Sequence, residues 1–220
     1  KTLTIAASLA SGETITGAGN TTINTLTNNA VLVGITTTGT NTVNTDGNIV
    51  AFTGSFPAEA FTLDGDNTVT MNAGSITTGK TMTIASNNRL IGTATNLDGK
   101  TITGAGNVTV NDLHDDPTAV LNKIDTTGGS KNYINTGETM TFSGSFIAEA
   151  FTLNGGTYSI TSNGSTITDG KTMTLDTNMT FIAPVADVDG KTINGTGSLT
   201  ITGDSSNADL SNISTAGTSL

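Results

Sequence analysis

The chain of 220 residues has no cysteine, no tryptophan and only 4% aromatic residues. Disulfide staples are excluded, and so is the aromatic-rich core of an ordinary globular enzyme of this length. Basic residues are also scarce: eight Lys and Arg stand against 18 Asp and Glu, for a formal charge of −10. A pI near 4.2 removes the counterion-release term that nucleic-acid binding requires, so nucleic acid and anionic membrane are poor partners. No apolar run approaches the roughly 20 residues of a membrane-spanning helix. Lys1 leads straight into Thr2-Leu3-Thr4-Ile5 without an initiator Met or signal h-region, which reads as a segment or mature product.

What is abundant is threonine (48), glycine (27) and asparagine (23), nearly half of the chain. These are β-formers and turn-formers, and helix formers are few. Leu, Ile, Val and Phe number 49, just above the level of about 20% below which chains remain disordered. An acidic, Lys-poor, Thr/Asn/Gly-rich composition fits a bacterial secreted or surface protein.

Internal repetition is the strongest signal. Gly54-Ser55-Phe56-Pro57-Ala58-Glu59-Ala60-Phe61-Thr62-Leu63 returns from Gly144, and Gly79-Lys80-Thr81-Met82-Thr83-Ile84 returns from Gly170. Thr14-Ile15-Thr16-Gly17-Ala18-Gly19-Asn20 recurs from Thr101 and more loosely from Thr192. The chain therefore reads as one continuous array, 1–220, of a roughly 90-residue unit: 1–11 (partial), 12–98, 99–189 and 190–220 (partial). Lys1-Thr2-Leu3-Thr4-Ile5 aligns with 80–84, at the cost of about seven missing residues before the first Thr-Ile-Thr, which implies a dropped strand or corner there.

Within each unit, short windows alternate apolar residues with Thr or Ser: Thr101-Ile102-Thr103, Val108-Thr109-Val110, Ala119-Val120-Leu121, Thr139-Met140-Thr141-Phe142, Tyr158-Ser159-Ile160 and Thr166-Ile167-Thr168. Alternation buries one side of a strand and leaves hydroxyls on the other. Asp98-Gly99, Asn154-Gly155, Asn163-Gly164, Asp169-Gly170 and Asp189-Gly190 supply the tight corners between them. Strands with two or three small apolar groups each cannot fill a sandwich core about 10 Å thick, but they can fill a narrow solenoid whose rungs stack at about 4.8 Å. The fold class expected is all-β, a β-solenoid (parallel β-helix) with rungs of 18–20 residues, about eleven in all. Tandem immunoglobulin-like β-sandwich domains are the alternative. Ile102, Val108, Val110, Leu121, Met140, Leu153, Ile160, Ile167 and Met173 are expected inward, with flanking threonines outward.

The string Leu97-Asp98-Gly99-Lys100-Thr101-Ile102-Thr103-Gly104-Ala105-Gly106-Asn107-Val108-Thr109-Val110, with Val188-Asp189-Gly190-Lys191-Thr192-Ile193-Asn194-Gly195 and Asn207-Ala208-Asp209-Leu210-Ser211-Asn212-Ile213, resembles the Thr/Gly/Asn-rich repeat arrays of large bacterial surface proteins, including filamentous-haemagglutinin-like adhesins. The resemblance implies a right-handed β-helical stalk or fibre that holds a cell to a surface or to other cells, and it carries over no catalytic residue. The Gly-Gly-x-Gly-x-Asp nonapeptides of calcium-binding repeats are absent.

Candidate chemistry is sparse. The densest acidic spot, Asp112-Leu113-His114-Asp115-Asp116-Pro117, holds the single histidine; Asp112, Asp115 and Asp116 are the one candidate cation loop, and Ca²⁺ the cation such oxygens would suit. Its counterpart Asn24-Thr25-Leu26-Thr27-Asn28-Asn29 is uncharged, so the expectation is a solvated loop and no cofactor. With one arginine, Arg89, and no repeated pair of catalytic carboxylates, no enzyme is expected. Glu59 and Glu149 recur within an apolar string. They read as solvent-facing acids of a short helical turn capped by Ser55 or Ser145, in preference to partners of Lys80 or Lys171 in an ion pair or isopeptide bond.

The Thr-x-Thr pairs Thr2/Thr4, Thr14/Thr16, Thr81/Thr83, Thr101/Thr103, Thr139/Thr141, Thr172/Thr174 and Thr200/Thr202 raise ice binding, but their uneven spacing along the chain gives no continuous rank. The function expected is a non-catalytic structural or adhesive segment of an extracellular bacterial surface protein or filament, with ice or carbohydrate binding as the alternative. Its partners would be neighbouring repeats or identical chains stacked head to tail, and a host or cell-surface glycan or protein.

Overall fold

The computed structural model describes residues 1–47, 49–54, 61–65, 68–71, 76, 79–136, 140–148, 150–154, 158–162, 166–167 and 170–219. Every strand pairing among them is parallel, which excludes an immunoglobulin-like sandwich and makes the chain a β-solenoid. All six of the alternating windows contain strand. Turn lengths run from 18 residues (Ile5 to Ile23) to 25 (Val120 to Ser145), reaching beyond the 18–20 that the sequence pattern implies.

Three faces carry the ladders. The first is a seven-stranded sheet from Thr2–Ala6 through Asn20–Asn24, Asn41–Asn44, Phe61–Asp64, Thr81–Ile84 and Thr101–Gly104 to Ile124–Thr126. The twelve-stranded sheet beside it comprises the other two faces. They are joined where the long strand Thr192–Thr202 pairs with Thr172–Leu175 through its first residues and with Met179–Pro184 through its last.

Alternation turns every second side chain inward, and parallel in-register stacking then aligns apolar residues into columns. On the first face the column is Ile5, Ile23, Val43, Leu63 and Ile84; on the second, Val50, Val69, Leu90 and Val108; on the third, Phe142, Ile160, Phe181 and Leu199. All but Ile5 are at most 2% exposed. Burial of such a side chain contributes about 1.5–3 kcal/mol, so a narrow shaft filled by aliphatics needs few aromatics. The aromatic residues that are present concentrate in the C-terminal half. Phe146 lies 5.8 Å from Tyr133 and 6.0 Å from Phe181 between ring centroids, and the Tyr133 hydroxyl donates to the Ile147 carbonyl at 2.8 Å.

Of the residues expected inward, Ile102, Val108, Val110, Leu121, Ile160, Ile167 and Met173 are buried; the side chains of Met140 and Leu153 lie outside the described set. Thr109 departs from the expectation of exposure: it stands outward in the ladder between Ile91 and Asn132, yet is only 6% exposed. Three polar groups enter the shaft and bond to one another: Thr21 and Thr37 share a hydroxyl hydrogen bond of 3.1 Å, and the Thr37 hydroxyl donates to Asn41 Oδ1 at 2.6 Å, which leaves Asn41 Nδ2 without a partner among the described residues. Lys131 is likewise 1% exposed, with its ammonium donating to the Thr126 carbonyl at 2.9 Å.

Corners repeat as strictly as columns. After each of the helical turns Ala7–Ala10, Ala94–Leu97 and Val185–Val188, one side-chain oxygen reaches the next turn of the solenoid. Ser11 accepts from the Val31 N–H at 2.9 Å, Asp98 from Val120 at 2.8 Å and Asp189 from Asp209 at 2.7 Å. The following glycine N–H donates to the carbonyl of that same residue in each case, so the clip is two-pronged. Asn20 and Asn107 form a second clip, accepting from Thr40 and Ser130 at 3.0 and 2.8 Å.

These equivalences correct the alignment of the first residues. Thr2–Ala6 followed by Ala7–Ala10 matches Arg89–Thr93 followed by Ala94–Leu97, not the 80–84 motif, so no strand is missing before Thr14. They also show that the 90-residue unit is not a whole number of turns. Asn20–Asn24 climbs four pairings within the first face to reach Thr101–Gly104, but its repeat copy Asn107–Asn111 is the next strand, on the second face. Each unit thus spans four turns plus one face, and copies are rotated about the rod by one face. Thr81–Ile84 and its copy Thr172–Leu175 accordingly sit in different sheets.

The expected helical turn at Ser145 is also corrected. Ser145–Ala148 is strand, pairing with Val120–Leu121 and Thr166–Ile167, because the backbone finds ladder partners on both sides. Residues 55–60 and Glu149 lie outside the described residues, so the reading of Ser55, Glu59 and Glu149 is not addressed.

Candidate functional surface

The outward positions of the first face form a rank that the spacing of Thr-x-Thr pairs along the chain conceals. Thr4, Thr22, Thr42, Thr62, Thr83 and Thr103 are consecutive ladder partners, six threonines in register across six turns. The rank ends at Asp125. Thr4 is exposed and the others are half-buried, each flanked by its neighbours above and below. The hydroxyls of Thr83 and Thr103 approach to 3.5 Å. Beside this rank, at the preceding outward position, Thr2 pairs with Asn20, and Thr81 with Thr101.

Strand chemistry explains the regularity. β-branched threonine is stiff at χ1 and favoured in strands, so identical side chains at identical backbone positions repeat one orientation from turn to turn. Spacing follows from the ladder, about 4.8 Å between turns and about 6.6 Å between alternate residues of one strand. A polar concavity of about 480 Å³ opens on this face, lined by Thr62, Thr81 and Thr83 of the strands and by Asn20, Thr38, Gly39 and Thr40.

Among the described residues no other face carries a continuous run of threonines; the outward series of the third face is Thr141, Ser159, Thr180 and Ser198. Outward positions of the second face read Ala51, Thr70, Ile91, Thr109 and Asn132 and, further along, Thr174, Asn194 and Ser214. Of the sequence candidates, Thr4, Thr83 and Thr103 belong to the rank and Thr2, Thr81 and Thr101 stand beside it. Thr14/Thr16, Thr141, Thr172/Thr174 and Thr200/Thr202 are elsewhere. Thr22, Thr42 and Thr62 are found only through register.

The acidic loop is built differently. Asp112 takes a left-handed conformation (φ 51°), turning the chain out of Asn107–Asn111 into a 3-10 turn anchored by buried Leu113. His114 donates its backbone N–H to Asn135 Oδ1 at 3.1 Å and places Nδ1 2.9 Å from the same oxygen, while Nε2 lies 3.2 Å from Asp115. Asp116 accepts from the N–H and hydroxyl of Thr118 at 3.2 and 3.1 Å. Asp115 and Asp116 are therefore directed at separate partners within the loop. Among the described residues no three His, Asp or Glu side chains come together as a metal-binding group.

A second acidic stretch follows the third helical turn. Ser206 donates its backbone N–H and hydroxyl to Asp204, and Ser211 donates its hydroxyl and, more weakly, its N–H to Asp209; these bonds hold both exposed carboxyls below the usual aspartate value. Asp187 accepts a short hydrogen bond from the Ser162 hydroxyl. Each of these contacts shapes a corner.

No known protein family, no curated protein and no solved structure matches this chain.

Proposed function

We propose that the chain is a non-catalytic, structural and adhesive segment of an extracellular bacterial surface protein or filament, a stretch of stalk or fibre. The observation that supports this reading is the continuity of the ladder: parallel strand pairings over apolar columns continue from turn to turn along the described residues. Such a rod resists extension because load along it is shared by parallel hydrogen-bonded ladders on three faces. Composition supports the location, with an acidic, Lys-poor, Thr/Asn/Gly-rich sequence.

The terminal turns suit stacking. Among the described residues Thr2–Ala6 is paired on one edge, with Asn20–Asn24, and Ile213–Ser219 on one edge, with Thr192–Thr202. An open parallel edge over an apolar shaft is a template for another turn, supplied by a neighbouring repeat or by an identical chain, and a heterologous contact of this kind grows an open filament. Glycan or protein at a host or cell surface would be the adhesive partner.

Sedimentation and negative-stain imaging test this directly. The expected result is a species that lengthens with protein concentration into uniform, unbranched rods of constant width. A folded monomer that stays monomeric at high concentration overturns end-to-end stacking, and beads on a string overturn the stalk.

A further inference from the structure

We propose that the threonine rank of the first face is an ice-binding surface, a function beyond the structural role of the rod. Six threonines, Thr4, Thr22, Thr42, Thr62, Thr83 and Thr103, stand in register on one face. A water lattice is recognised by repetition: equal groups at equal spacings, on a rigid support, over several repeats. The parallel ladder supplies the spacing and the packed shaft supplies the rigidity. Threonine supplies both chemistries required, a hydroxyl that joins a water network and a methyl that shelters the water between rows. Its χ1 stiffness means that little rotamer freedom is lost when the lattice forms.

What the rank leaves out also selects the ligand. It contains no charged residue until Asp125, and charges would orient water around themselves instead of into a lattice. No aromatic residue stands in it, and a sugar ring is held largely by apolar and aromatic contact with a few polar groups that fix its orientation. The concavity lined by Asn20, Thr38, Gly39, Thr40, Thr62, Thr81 and Thr83 is a second feature of the same face, a hydroxyl-lined and uncharged space that admits water. Of the two faces whose outward series run through most of the rod, only this one has the rank; the second mixes Ala, Ile, Asn and Thr.

The experiment is thermal hysteresis and ice-recrystallisation inhibition by the full chain at micromolar concentration, with T42Y and T83Y as mid-rank variants and T174Y as the control on the second face. All three positions point outward, so folding is checked by unchanged circular dichroism and melting temperature. The expected result is clear activity for the parent chain, loss of most of it in T42Y and T83Y, and none lost in T174Y. An inactive parent overturns the proposal, as does equal loss in T174Y. Retention on microcrystalline chitin or cellulose without any effect on ice overturns it in favour of a polysaccharide surface.

Discussion

Ile102→Asp is expected to destabilise the rod by about 4 kcal/mol or more, a large share of the roughly 5–15 kcal/mol that holds an ordinary chain folded. Ile102 is fully buried, stacked between Met82 and Ile124 on adjacent turns. A carboxylate there would stand between two apolar ladder neighbours, and the column cannot admit water without opening the ladder. The neighbouring position supplies the control, and its register refines the sequence expectation that Thr103→Asp is nearly neutral. Thr103 faces Asp125 on the next turn, so Asp at 103 sets like charges side by side and costs up to about 1 kcal/mol, whereas Thr103→Lys faces an opposite charge and is neutral within about 0.5 kcal/mol. Chemical denaturation of the three variants reads the difference. Equal tolerance of Asp at 102 and 103 would show that the inward and outward assignments are wrong.

Gly104→Ala is expected to cost about 3 kcal/mol, while Gly17→Ala, at the equivalent corner of the preceding unit, costs about half as much. Gly17, Gly104 and Gly195 share a conformation, with φ of 129°, 112° and 120°, that side chains rarely adopt. A Cβ at Gly104 would also press into the backbone of Ile84 on the turn below, and one at Gly195 into Leu175, but nothing lies within 4 Å of a Cβ at Gly17. Backbone strain is therefore common to the corners and the steric clash is added only where another turn lies beneath. Melting curves separate the two: Gly104→Ala falls further than Gly17→Ala, and an equal fall would mean that the turns do not approach as closely as the ladder requires.

The architecture was legible because a strand has a side-chain period of two. Thr101-Ile102-Thr103 and Val108-Thr109-Val110 declare their buried sides without any tertiary information, and the 90-residue repeat follows from identity alone. Register was not legible. A repeat length states how far apart copies lie in sequence, not how many residues close a turn, so the displacement of Asn107–Asn111 onto a different face from Asn20–Asn24 could not be read. The threonine rank was hidden for the same reason: its members are separated by 18 to 21 residues (Thr4 to Thr22, Thr62 to Thr83), and only corner length decides who faces whom. Ser145 was misread because a local N-cap preference competes with ladder bonds, and the ladder prevailed. Lys131 shows the limit of residue type as a guide: strand parity with Tyr133 and Asn135 points it inward, and the Thr126 carbonyl makes burial tolerable.

Spin labels at Thr22 and Thr103, introduced as the only two cysteines of the chain, test the solenoid most directly. Four ladder steps separate these positions on one face, through Thr42, Thr62 and Thr83. At about 4.8 Å per step the backbones lie about 19 Å apart, and a pulsed dipolar measurement should give one narrow distribution near that value, broadened by the label arms. A broad distribution, or a mean beyond about 35 Å as expected for positions in successive globular domains, would contradict the stacked-turn architecture.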